Sequence, residues 1–211
     1  NGQQTTLGKS EHLKNPSMKA IHQYFEDFYV PNNMAMVLVG DLEFEETILL
    51  IDQYFGEFQY KELPKKEKIV EEPLTKIIEK TLKSPSTPRL HLGWRTDSYG
   101  TKGARLAAIV GEILSNNAEA GLLDLNINQK QKALRAVAYS SAFKNYGSLT
   151  LVIVPKENQS LDEAKNLLLE QIDLVKKGDF PDWIITAIQN DYKLQNLKQL
   201  ETADGLATVL Y

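Results

Sequence analysis

The chain has 211 residues, 42% of them apolar and 25% charged, with a net charge of −4 and no cysteine. This composition suits one large or two small globular cores; it excludes disulfides and thiolate metal sites, and the lack of a basic surplus argues against a nucleic-acid partner. No apolar run approaches the ~18 residues that a membrane span requires, and the polar start, Asn1-Gly2-Gln3-Gln4-Thr5-Thr6, is not a signal peptide.

The chain begins without methionine and reads as a segment excised from a longer protein. Asn15 as N-cap and Pro16 at the first helical position predict a helix. Ile21, Tyr24, Phe25 and Phe28 then recur at i, i+3, i+4 and i+7 as its apolar stripe. Pro31 forces Val30 out of helical conformation and ends it. Met34–Val39 is short, apolar on both faces and bounded by turn residues, so it reads as a buried strand. Asp41 is placed to cap a helix with Phe44, Ile48, Ile51 and Phe55 as its buried stripe, closed by Gly56.

Residues 61–73 change texture: lysines and glutamates alternate around two prolines, the best linker in the chain. Beyond it, Thr75–Leu82 and Arg89–Trp94 read as strands about a Ser-Pro-Ser-Thr-Pro turn. Leu106, Ile109, Val110, Ile113 and Leu114 mark a helix, and Ala118–Asn128 a second, with Leu122, Leu123 and Leu125 inward. Leu134–Phe143 and Ser148–Val154 form a hairpin through Asn145-Tyr146-Gly147. Ser160-Leu161-Asp162-Glu163 is a capping box. It opens a helix carrying Leu161, Ala164, Leu168, Ile172 and Val175 that ends at Gly178, and Pro181 opens a last long helix. The order is strand, strand, helix, helix, strand, strand, helix, helix. It predicts an α+β fold with helices packed on an antiparallel sheet, ahead of a doubly wound α/β sheet.

The run Phe28-Tyr29-Val30-Pro31-Asn32-Asn33-Met34-Ala35-Met36-Val37-Leu38-Val39-Gly40-Asp41-Leu42, followed by a helix ending Tyr54-Phe55-Gly56, resembles the close of a catalytic-type domain in the insulinase, pitrilysin and mitochondrial processing peptidases. Leu90-His91-Leu92-Gly93-Trp94-Arg95, Ala104–Leu114, Ala164–Leu169 and Gly178-Asp179-Phe180 through Gly205 extend the resemblance over nearly the whole chain. It implies the α+β fold of those domains. Residues 1–60 would be the closing helix-strand-helix of a preceding peptidase-like domain, and 74–211 most of a second, zinc-free one. The resemblance also implies a chamber for peptide, enclosed by paired halves of which one binds zinc. The silent half supplies wall and substrate contacts.

The zinc motif of that family needs two histidines and a glutamate spaced His-x-x-Glu-His. His12, His22 and His91 have no such neighbours. This chain is therefore predicted to hold no metal and to perform no catalysis; its zinc would sit in an absent catalytic half. His22 and Glu26 share a helical face at i, i+4, and a solvated helix edge accounts for them. No Gly-x-Ser-x-Gly motif or phosphate loop is present, and Gly100, Gly103 and Gly111 are too scattered to cradle phosphate. In active relatives the silent half presents an arginine and a tyrosine, seven residues apart, to substrate. Aligning Tyr139 with that tyrosine puts Lys132 in the arginine's place, which keeps the charge without the bidentate fork; Arg135 is near but at the wrong spacing. The glycine-rich turn of relatives is reduced here to Ser115–Gly121 with a single glycine.

The resemblance thus implies a non-catalytic domain of a zinc metallopeptidase, binding extended peptide along a sheet edge. Its expected partners are a zinc-binding catalytic domain, in the same chain or another, and peptide substrate. An assembly domain without peptide contact and an unrelated ligand-binding module are the rivals. Cytoplasm and periplasm of a bacterium both stay open. Met34–Val39 is expected to pair into the second domain's sheet, in its own chain or in a neighbour's as a swapped homodimer.

Overall fold

The computed structural model describes residues 8–65 and 73–211; part of the predicted linker, residues 66–72, lies outside them. The chain divides into two compact units, Asn1–Lys80 with Lys198–Tyr211, and Thr81–Leu197.

In the first unit α1 (Ser10–Lys14) precedes α2 (Met18–Phe28). The N-cap of α2 is Ser17, whose hydroxyl accepts from the Ala20 N–H, rather than Asn15, which ends α1. Rings pair along α2: Tyr24 meets Phe28 tilted at 4.7 Å, and Phe25 stacks on Tyr29, the residue after the helix, at 4.6 Å. The carboxamide of Asn32 clasps the Lys61 backbone, accepting from its N–H at 3.2 Å and donating to its carbonyl at 3.0 Å. Lys61 Nζ reaches Asp27 at 3.1 Å and holds that carboxyl below its usual range.

Helix α3 (Phe44–Phe55) starts at Glu43 without a side-chain cap, so Asp41 does not cap it. Its stripe is not buried as expected; Phe44 and Phe55 are exposed. Met34–Val39 corrects the expectation more sharply. It is extended but forms no strand and pairs with nothing among the described residues. An extended segment becomes a strand only when a neighbouring edge takes its N–H and C=O groups. Val30 is the one buried hydrophobic residue among the described residues of this unit.

The second unit holds a three-stranded antiparallel sheet, order β1-β3-β2, from β1 (Leu90–Thr96), β2 (Arg135–Ala142) and β3 (Gly147–Val154). The β2–β3 hairpin forms as the sequence predicts, with Ala142 opposite Gly147. The predicted strand Thr75–Leu82 does not form, and β1 pairs with β3 instead, Leu90 opposite Ile153. Prolines 85 and 88 remove donors between the two segments, which disfavours a tight hairpin there.

One face of the sheet is covered by α4 (Lys102–Leu114) and α5 (Leu161–Lys177). The core joins Leu149, Leu151 and Ile153 of β3 to Ala136 and Ala138 of β2, Leu114 of α4 and Leu168 of α5. The inward stripe of α4 runs Ala104, Ala107, Gly111, Leu114, whereas Leu106 is 52% exposed. Small residues on both α4 and β2 bring helix and strand close: a Cβ at Gly111 would lie 3.5 Å from the Ser140 nitrogen.

The α5 capping box is complete, and Gly178 ends that helix with φ +67°, a left-handed conformation natural to glycine. Ile184 and Ile188 of α6 (Trp183–Leu200) join Ile113 and Leu122 in a second cluster. The final helix divides at Glu201-Thr202, where Thr202 caps α7 (Ala203–Leu210) through the Gly205 N–H.

Candidate functional site

Between α4 and β2 the chain runs the second helix predicted over Ala118–Asn128 only from Leu122 onward. It makes a turn at Ser115–Gly121 and then a π-helical turn, Asp124–Asn128, preceded by the buried Leu122 and Leu123. The single glycine of this stretch is required by space: a Cβ at Gly121 would sit 2.5 Å from the Leu114 carbonyl oxygen. The Gly121 N–H donates to Asp124 Oδ2 at 3.1 Å, and Asp124 Oδ1 accepts from Asn128 Nδ2 at 3.0 Å. Asp124 is 6% exposed, and burial pushes its carboxyl up against the pull of those hydrogen bonds.

Asn128 then reaches β2. Its Oδ1 accepts from the Ala136 N–H at 2.7 Å and its Nδ2 donates to the Ala136 carbonyl at 2.8 Å. Ala136 therefore directs its backbone away from β3. Hydrogen bonding alternates along an antiparallel ladder, so Ala138 and Ser140 direct theirs the same way. Beyond Asn128 this edge opens into a groove of 760 Å³ between α4, the two turns and β2. Gly111 and Glu112 of α4 and Ser115 just after it line one wall, and Val137, Tyr139 and Ser140 of β2 the other. Burial raises the Glu112 carboxyl, with Asp191 of α6 adding repulsion.

Of the predicted contacts, Tyr139 lines this groove and is 49% exposed. Lys132 precedes β2 and is held by its backbone: its N–H donates to Ile127 at 2.9 Å and its carbonyl accepts from Gln159 at 3.0 Å. Its side chain is exposed and is not among the groove-lining groups, whereas Arg135 is. The sequence reading missed Asn128 and Asp124. An Asp-x-x-x-Asn spacing is too common to single them out; only the strand edge they face gives them meaning.

The histidines do not gather. His12 and His22 lie exposed on α1 and α2, and His91 lies exposed on β1. Among the described residues no group of three or more His, Cys, Asp or Glu side chains is placed to hold a metal ion. These residues do not fit a zinc centre. No helix of the described residues is long and apolar enough to cross a membrane.

Comparison with known proteins places this architecture. A family model described as the peptidase M16 inactive domain matches residues 17–192. A curated relative, "Probable inactive metalloprotease YmfF" of Bacillus subtilis, is 21% identical over 97% of this chain and 47% of its own length. The crystal structure of a protease from Helicobacter pylori superposes with a TM-score of 0.76 at 16% identity, over 96% of this chain and 50% of that one. A protein described as an M16-like peptidase, from Alicyclobacillus acidocaldarius, gives a TM-score of 0.70 at 15% identity, over 97% and 49%. The chain thus spans about half the length of the relatives it matches.

Proposed function

The chain belongs to the peptidase M16 inactive-domain family, and from that premise we propose that it is the substrate-holding half of a zinc peptidase, walling a chamber for a catalytic half. The observation that carries the reading is the groove along the β2 edge, where the outward backbone groups of Ala138 and Ser140, unpaired among the described residues, lie beside Tyr139. Such an edge binds extended peptide through main-chain hydrogen bonds and leaves side-chain selection to the walls. Tyr139 supplies a flat apolar contact with a polar tip. Lys132, at the approach to β2, supplies positive charge for substrate carbonyls or carboxylates.

In this division of labour the chain orients substrate and excludes water. The hydrolytic chemistry belongs to zinc in the partner half, and no residue here takes a proton in it. The matched length, about half of the relatives, supports a second half. So does Met34–Val39, an apolar extended segment among exposed apolar side chains, which suits a closing strand of the preceding peptidase-like domain.

Titrating a labelled extended octapeptide against the chain, by fluorescence anisotropy, tests the reading. Saturable binding, weakened at least fivefold by Tyr139→Ala and less by Lys132→Ala, is the expected result. Association with a zinc-binding half without any peptide binding would leave only an assembly role.

A further inference from the structure

Asn128 already does to β2 what a neighbouring strand would do. One carboxamide both accepts from the Ala136 N–H, at 2.7 Å, and donates to the Ala136 carbonyl, at 2.8 Å. That is the pair of bonds one residue of an added strand would make. The amide is held the right way round by Asp124, which accepts from its second N–H at 3.0 Å. The first bonding position of the edge is filled from within the fold, and the next two, Ala138 and Ser140, border the groove.

The groove walls differ in character. Side chains alternate across a strand, so Arg135, Val137 and Tyr139 share one face of β2 and Ala138 and Ser140 share the other, the face under α4. Along the α4 side the groove carries Glu112 and, on the adjoining turn, Glu119, while Arg135, the one cation among its lining residues, belongs to the opposite face. A strand laid along Ala138–Ser140 would therefore point alternate side chains at a negative wall and at Tyr139.

We infer that the β2 edge is a register-fixed peptide subsite. Asn128 stops an extended peptide at Ala138, and the peptide presents a basic side chain to Glu112 and an apolar one, next in sequence, to Tyr139. This rests on the peptide-holding reading and deepens it: Asn128 is the positioning residue and Glu112 the specificity determinant. Backbone bonds fix register, since a slip by one residue exchanges the two faces. Charge complementarity selects sequence more than it adds raw affinity.

The test uses the whole chain and a set of octapeptides with alternating lysine and leucine, read by fluorescence anisotropy at pH 7. Single N-methyl groups are walked along the peptide backbone. The expected result is alternation: N-methylation at every second residue of the bound stretch weakens binding at least tenfold, and at the intervening residues less than twofold. Replacing the lysines by glutamate weakens binding at least tenfold, and Glu112→Gln reduces that discrimination to threefold or less. Glu112→Gln removes a half-buried charge and keeps the side chain's shape, so loss of folding does not confuse the result.

Uniform sensitivity to N-methylation, or equal binding of lysine and glutamate peptides, would overturn this subsite while leaving peptide holding intact. Failure of every peptide to bind overturns both.

Discussion

Asp124 Oδ1 lies 3.0 Å from Asn128 Nδ2 and accepts from the same amide nitrogen that donates to the Ala136 carbonyl. That acceptor reinforces the orientation already set by the N–H and carbonyl of Ala136, a residue with no exposed surface. Removing the amide by Asn128→Ala leaves a buried donor and acceptor unpaired, a loss of about 1–3 kcal/mol. Asn128→Asp is expected to cost more at pH 7, because it sets a second carboxylate against Asp124 and faces an oxygen with an oxygen. Urea unfolding of both variants checks the order; Asn128→Asp matching wild type would contradict it.

Glu112 gives the pH dependence a definite sign. Burial, with help from Asp191, raises its folded-state value above the usual 4.5. The folded chain therefore keeps a proton that the unfolded chain has released. Stability from this group is complete below 4.5 and falls as pH rises through the interval up to the raised value. Asp124 acts in the same direction from 3.8. Glu112→Gln cannot ionise, so its urea midpoint relative to wild type should rise between pH 4 and pH 7. A difference that stays flat across that range would refute the burial argument.

Two glycines are expected to differ under the same substitution. At Gly178 an added Cβ meets open space, and the cost of Gly178→Ala is the left-handed φ of +67° alone, about 1 kcal/mol. At Gly121 the Cβ would press on the Leu114 carbonyl oxygen at 2.5 Å and on the Ser115 nitrogen at 2.6 Å. Backbone must move there, so Gly121→Ala is expected to cost at least ~2 kcal/mol and to disturb the groove. Thermal melts of the pair, with Gly178→Asn as a tolerated control, measure the contrast.

What the sequence made legible tracks how local its cause was. The capping box at Ser160, the Gly178 stop and the β2–β3 hairpin depend on residues within a few positions of each other, and each stands where predicted. The peptidase-like α+β fold followed from order and resemblance, and the TM-score of 0.76 agrees with it. Errors came where the deciding partner is remote. Leu106, Ile109, Val110, Ile113 and Leu114 mark α4 without saying which of them turn inward; the helix turns mostly small residues inward because β2 offers Ala136 and Ala138 rather than a hollow. The groove was half legible: Tyr139 was found by resemblance, but Asn128 could not be recognised until the edge it covers was known.

The stripe itself is testable. Ala107 is buried against β2-side packing, whereas Leu106 faces outward. Ala107→Leu forces bulk between α4 and the sheet, at about 1–3 kcal/mol. Leu106→Ala removes mostly exposed surface and should stay within ~0.5 kcal/mol of wild type. Equal costs for the two would mean the helix is rotated from the position described.

Met34–Val39 offers the sharpest separation of stability from assembly. Met36 and Leu38 are 50% and 48% exposed and make no strand contact among the described residues. Lysine at both positions should therefore leave the urea midpoint of the isolated chain unchanged within ~0.5 kcal/mol. If the segment closes a sheet in a catalytic half, the same double substitution inserts charges into a two-sided apolar layer, where unpaired burial is prohibitive. Co-elution with that half should then be lost although the chain stays folded. Destabilisation of the isolated chain would instead mean that the segment is already buried within it, and full co-elution would mean that the catalytic half docks elsewhere.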